Sequence, residues 1–255
     1  MFHNTNIFTY VSRRVNYEKL NYDNFLQQDR PWPLQDILDI IKAWDKCFKY
    51  KYFEFRKKIV EIAKSNWKLI PAKQLNEWSD VIKCDKHSLF LFTDDDDFYS
   101  PHLLDYVLDV PHLFDYDIIY WNTCEFLTSI IYPKEKLPDK PWFNFKHKRT
   151  LHSNNFCMTK KGVLKLNEKD FVTSQSIHNH MQKLNCYYIN SNLNVGNKTI
   201  SSISSLRNVN NIDDIIKIHN SIKSVDIPEK IKWSNNFVNQ TIKLYHENIN
   251  RNYLF

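Results

Sequence analysis

Four aspartates in succession, Asp94 to Asp97, follow the run LFLFT, and the chain continues FYSP. Neighbouring carboxylates repel by about 1 kcal/mol per pair at 4 Å even in bulk water, and by more beside a protein surface. In a chain of formal net charge +6, such a run calls for a positive partner. Closely spaced carboxylate oxygens are hard ligands, suited to Mg2+ or Mn2+, which keep waters and bridge to substrate phosphates. A D-x-D at a strand end therefore suggests a metal–diphosphate site, the cation stabilising a departing diphosphate as a Lewis acid. The competing reading is a solvated acidic turn. The apolar run before the aspartates and the helix signal after them weigh against it.

The flanking sequence shows which elements must hold the carboxylates. HSLFLFT, residues 87–93, is an apolar run short enough for a central strand covered on both faces. Ser100 suits a helix N-cap and Pro101 the first helical position. Leu103, Leu104, Val107 and Leu108 then give a short helix an apolar face. The cluster thus falls where a strand ends and a helix begins, the usual ligand position in open α/β sheets.

Further strands are expected at residues 6–12 (NIFTYVS), in WKLIP before Pro71, in YDIIYWNTCEFL with SIIYP as its hairpin partner, in NNFCMTKKG and in CYYINSNLNV. Helices are expected over 34–66 (two), in SQSIHNHMQKLN and over about 212–255, broken at Pro228. Alternating strands and helices predict one α/β domain over 1–255 with a mixed, mostly parallel central sheet flanked by helices. Its core spans about 5–207, and 208–255 forms a helical C-terminal extension.

Composition removes several classes. Two glycines in 255 residues leave no glycine-rich phosphate loop, which argues against Rossmann dehydrogenases, P-loop NTPases and protein kinases. Five cysteines (Cys47, Cys84, Cys124, Cys157 and Cys186), widely spaced and without a C-x-x-C pair, suit a reducing compartment. MFHNTNIFTYVSRR lacks the basic and apolar regions of a signal peptide, and no apolar run approaches membrane-spanning length. The expectation is a soluble cytoplasmic protein with at most peripheral membrane contact. The basic residues form no stripe beside aromatics, so nucleic acid is not an expected partner.

LFLFTDDDDFYSPHLLDYV resembles the D-x-D-D segment of metal-dependent GT-A-fold glycosyltransferases, including family-two and rhamnosyltransferase-like enzymes. The resemblance implies a Rossmann-like GT-A domain. It implies sugar transfer from a nucleotide-diphosphate donor to a hydroxyl of a glycan, polysaccharide or glycolipid, assisted by Mn2+ or Mg2+. Carried onto this chain, Asp94 lies near the donor ribose and metal, Asp96 ligates the metal, and Asp97 orients the donor or acceptor sugar. Asp95 takes the variable place beside the donor; a register one residue later, on Asp95 and Asp97, is the alternative alignment. YVSRRVN is similar to the nucleotide-holding segment, assigning donor contacts to Tyr10, Ser12, Arg13, Arg14 and Asn16. NKTISSISSLRN resembles a late loop from which Lys198 or Arg207 reaches phosphate, and HSNNFCMTKKG resembles the strand on the acceptor side. The resemblance spans roughly residues 5–207, and only the D-x-D-D segment is specific.

The chain also departs from that pattern. Many inverting members place an acidic residue before a late helix as general base, where this chain has Thr173 and Ser174. Asp170 is the candidate base, with Glu168 beside it and Glu125 competing; without a base, a retaining mechanism becomes the reading. His178 and His180, two apart on a helix, point to different faces and cannot share one metal; His152 and His246 are alternatives. Trp121 and Trp142 are candidates for stacking on a sugar or base. Two other functions fit part of the pattern: a Mg-dependent phosphohydrolase, and a catalytically inactive nucleotide-sugar or carbohydrate-binding module.

Overall fold

The apolar run before the aspartates forms strand β3 (Leu89–Thr93), all five of whose residues are buried. A computed structural model of the chain describes residues 5–9, 49–70, 73–75, 78–94, 96–128, 143–151, 154–166, 183–198 and 226–250. The other strands are β1 (Thr5–Thr9), β2 (Lys73–Leu75), β4 (Phe98–Tyr99), β5 (Ile118–Thr128), β6 (Phe143–Lys148), β7 (Phe156–Thr159) and β8 (Cys186–Lys198). The helices are α1 (Lys49–Trp67), α2 (Trp78–Lys83), α3 (Leu103–Leu108), α4 (Lys160–Val163) and α5 (Asn235–Asn250). Short 3-10 turns occupy Leu113–Asp115 and Glu229–Ser234.

The strands form an eight-stranded sheet in the order β2-β1-β3-β7-β5-β8-β4, with β6 paired to β5 off that path. The architecture is mixed α/β, and β3 is interior to the sheet as expected. The expectation of a mostly parallel sheet is corrected. Three of the described pairings are parallel (β1 with β2, β1 with β3, β5 with β8) and four are antiparallel. Strand β7 runs antiparallel between two parallel groups. Parallel neighbours need crossovers of a dozen or more residues, whereas β4 follows β3 after only the aspartate turn and finds an antiparallel partner in β8.

Other boundaries shift for local reasons. WKLIP is not a strand: α1 runs through Trp67 and closes in a turn, with the Ile70 N–H donating to the Trp67 carbonyl at 2.9 Å. The next strand, β2, begins beyond Pro71. Strand β5 pairs antiparallel with β6 (Phe143–Lys148) and with β7, while SIIYP, the expected hairpin partner, lies outside the described residues. So do the first helix expected in 34–66, nearly all of SQSIHNHMQKLN and residues 212–225. No described helix is long and apolar enough to cross a membrane.

Helix α3 buries Leu103, Leu104 and Val107, and Leu108 is 40% exposed. The expected N-cap at Ser100 is corrected: the helix begins at Leu103 with His102 as its N-cap and no side-chain cap bond, and Ser100, two residues before that cap, closes the preceding turn instead. The Ser100 hydroxyl accepts the His102 N–H at 3.2 Å, and its carbonyl accepts that of Leu103 at 3.0 Å. The main core gathers Phe98, Tyr99, Trp121 and Val195 of the sheet with Ala63 and Trp67 of α1 and Phe237, Val238 and Ile242 of α5. The rings of Phe98 and Phe237 stack at 5.9 Å. The described part of the C-terminal extension therefore belongs to the core that supports the aspartate turn.

Candidate functional site

Beyond Thr93 the chain leaves the sheet interior, and the aspartates sit at graded depth. Asp94 is half-buried, Asp96 retains 7% of its exposure and Asp97 none. The backbone N–H of Asp94 donates to the hydroxyl of Tyr99 at 3.0 Å. That phenol is fully buried. Burial pushes its pKa well above the ordinary value, and the carboxylates of Asp97, Asp94 and Asp96 push it in the same direction. Three carboxylates thus act on a single hydroxyl, which makes the turn a point of concentrated negative charge.

Asp97 is held from both sides. One carboxylate oxygen accepts the backbone N–H of Asn197 at 2.7 Å, and the other accepts the side-chain amide of Asn154. A buried carboxylate is tolerated when its oxygens are hydrogen-bonded in this way. Its backbone carbonyl accepts the indole N–H of Trp67 at 3.0 Å. Gly196 makes room for the arrangement: a β-carbon there would stand 3.2 Å from the Asn154 amide nitrogen and 3.8 Å from an Asp97 oxygen. The other glycine, Gly162, likewise permits a close approach, to the backbone of Asp117.

The two-residue strand β4 keeps this geometry in place. On one side it pairs with Val195 and Asn194 of β8. On the other the side chain of Asn66 replaces a strand, donating to the Tyr99 carbonyl at 2.9 Å and accepting the Tyr99 N–H. Asn66, Asn154, Tyr99 and Gly196 were not among the residues expected at the site. The scarcity of glycine was the one sequence signal that could have singled out Gly196.

Of the expected site residues, Asp94, Asp96 and Asp97 are described and lie together. Tyr10, Ser12, Arg13, Arg14, Asn16, Asp95, Asp170 and Arg207 lie outside the described residues. So do Glu168, Trp142, His152, His178 and His180, and the side chain of His246. Strands β1 and β3 are parallel neighbours, with Thr9 in register with Thr93. The strand before YVSRRVN therefore ends beside the strand before the aspartates.

Among the described residues no group of three or more His, Cys, Asp or Glu is arranged to hold a metal ion. Glu125 stands in register with Gly196 across the parallel β5–β8 pair and forms an ion pair with Lys148. Trp121 is fully buried and donates its indole N–H to Asn194 at 3.1 Å. It is a core residue rather than a platform for a sugar.

The sequence matches no protein-family model and no curated protein. Among solved structures the chain is similar to the inositol-1-phosphate CTP transferase from T. maritima, at a TM-score of 0.33 and 9% identity. That alignment covers 87% of this chain and 98% of the other. Similarity at that level carries no argument about activity.

Proposed function

We propose that the chain is a metal-dependent glycosyltransferase that moves a sugar from a nucleotide-diphosphate donor to a hydroxyl of a glycan, polysaccharide or glycolipid. The observation that carries this reading is the grouping of Asp94, Asp96 and Asp97 in one turn at the end of an interior strand, with the Asp97 carboxylate held by Asn154 and Asn197 and the Asp94 N–H bound to the Tyr99 hydroxyl. A half-buried carboxylate beside a nearly buried one is a hard donor pair, chemically suited to Mn2+ or Mg2+. Such a cation completes its shell with waters and phosphate oxygens, so two protein carboxylates suffice. Once bound, it would supply Lewis-acid stabilisation of the leaving diphosphate.

In this reading Asp94 and Asp96 hold the cation and Asp95 faces the donor. Asp97 acts through position: its buried carboxylate ties the turn to β8 and fixes where the preceding carboxylates point. The adjacent ends of β1 and β3 support the assignment of Tyr10, Ser12, Arg13, Arg14 and Asn16 to the donor. A guanidinium is suited to diphosphate because its fork of N–H groups meets two oxygens at once; Arg207 is assigned the same role. Asp170 and Glu125 are the carboxylates that could take the acceptor proton, Glu125 being the one whose strand neighbours the Asp97 clamp.

Replacing Asp96 by Ala is expected to abolish donor hydrolysis and sugar transfer while circular dichroism and the unfolding midpoint stay close to wild type. Full activity in that variant would remove the metal assignment.

A further inference from the structure

Strand β8 carries a second polar feature, set back from the aspartates. Trp121, Asn122 and Thr123 of β5 face Ile189, Asn192 and Asn194 of β8, so Asn190, Ser191 and Leu193 have no counterpart. Extra residues of this kind kink a strand and re-aim its side chains. Beside them lies a cleft of about 540 Å³ lined by the two strands, the end of β6, the start of α3 (Ser100, His102 and Tyr106) and the turn at Lys230–Trp233. That volume falls within the range of small-molecule sites, roughly 300–1,000 Å³.

The wall is built of amides. Asn122 donates to the Asn190 side-chain oxygen at 3.1 Å, and the Tyr188 hydroxyl donates to the Asn122 side-chain oxygen at 2.5 Å. His147 lies 3.0 Å from the Asn192 side-chain oxygen, and the Trp233 indole donates to the Asn192 carbonyl at 3.3 Å. Arg149 and Lys230 add two full positive charges, and among the described residues no Asp or Glu lines the cleft. Neighbouring carboxylates are engaged elsewhere: Asp105 contacts the lining residue His102, and Glu229, beside Lys230, pairs with Lys232. Fixed amides, a partly buried indole and two cations without a lining carboxylate form a set complementary to hydroxyls, a ring face and an anion.

The geometry points to a second binding site, for a sugar carrying a phosphate or a carboxylate. Arg149 and Lys230 take the anionic group, the amides around Asn122 and Asn190 take hydroxyls, and Trp233 covers the ring. The cleft uses residues 190–193 of β8 and reaches Ser100, three residues beyond Asp97, whereas the Asp97 carboxylate is anchored at Asn154 and Asn197. At about 3.3 Å per residue the two lie roughly 10–20 Å apart along the strand. The inference stands on the cleft alone and requires no reaction at the aspartates.

Isothermal titration of the full chain with glucose 1-phosphate, glucuronate, glucose and inorganic phosphate tests it. Glucose 1-phosphate, glucuronate or both are expected to bind about tenfold or more tightly than glucose and inorganic phosphate. Preference for one acidic sugar identifies the anionic group. The exposed-site variants Arg149→Glu and Lys230→Glu are expected to weaken that binding tenfold or more while cation-dependent binding of nucleotide diphosphates is unchanged. The inference is overturned if neither acidic sugar binds, or if glucose or inorganic phosphate binds as tightly. Undiminished binding in both variants, or parallel loss of nucleotide-diphosphate binding, overturns it as well.

Discussion

The side-chain amide of Asn66 brackets the backbone of Tyr99, donating to its carbonyl at 2.9 Å and accepting its N–H. Both partners are buried. Replacing Asn66 by Ala leaves a buried donor and a buried acceptor without a partner, each costing about 1–3 kcal/mol. The expected loss is about 2–4 kcal/mol in urea unfolding. A loss below about 1 kcal/mol would mean that β4 is held by β8 alone.

The two glycines should respond unequally to Ala. At Gly162 the added β-carbon would fall 2.2 Å from the Asp117 carbonyl oxygen, a backbone atom that cannot move aside. Overpacking against backbone is expected to cost about 2–3 kcal/mol. At Gly196 the nearest atom is 3.2 Å away, on the Asn154 side chain, and a small shift of that amide keeps the cost to about 1 kcal/mol or less. Thermal unfolding of the two variants gives the comparison directly.

Tyr99 makes stability sensitive to alkali. Its pKa is raised above the ordinary 10.0 by burial and then by the three carboxylates. Below the ordinary value, folded and unfolded chains both carry the phenolic proton, and the full stability is present. As pH rises through 10 toward the higher folded value, the unfolded chain releases a proton that the folded one keeps, and stability falls. Tyr99→Phe is expected to cost about 1 kcal/mol at pH 7 through the lost bond from the Asp94 N–H. Between pH 9 and 11 it should lose less stability than wild type. Equal alkaline losses would place the phenol elsewhere.

Two thiols should be silent in the folded protein. Burial pushes the Cys124 thiol up to about 12, with the Glu125 carboxylate adding to the shift, and burial alone raises Cys157 further. The thiolate is the reactive form, so neither is expected to react with iodoacetamide at pH 8 until urea unfolds the chain. Peptide mass mapping reads the outcome; rapid labelling of either thiol without urea would contradict the burial.

Strand β3 and helix α3 were legible because their signals are local. LFLFT is a continuous apolar run, and Ser100 with Pro101 marks a helix start within three residues. The clamp on Asp97 was not legible, since its partners lie 57 residues away at Asn154 and 100 residues away at Asn197. Asn66 read only as a polar position near the end of a helical pattern, with nothing to mark its use as a surrogate strand. The antiparallel insertion of β7 escaped for a related reason: FCMT is as apolar as a parallel core strand, and direction is set by connections, not by side chains. The irregular pairing around Asn192 leaves no trace in CYYINSNLNV beyond its density of polar residues.

In the proposed glycosyltransferase, Asp94 and Asp96 hold a divalent cation that in turn holds a nucleotide diphosphate. Isothermal titration of uridine, guanosine and thymidine diphosphates, with Mn2+ and then with the cation chelated, tests it in wild type and in Asp96→Asn. At least one diphosphate is expected to bind wild type only when Mn2+ is present, and the amide variant to lose this binding by tenfold or more. Binding that ignores the cation, binding that survives in Asp96→Asn, or no binding of any diphosphate would contradict it.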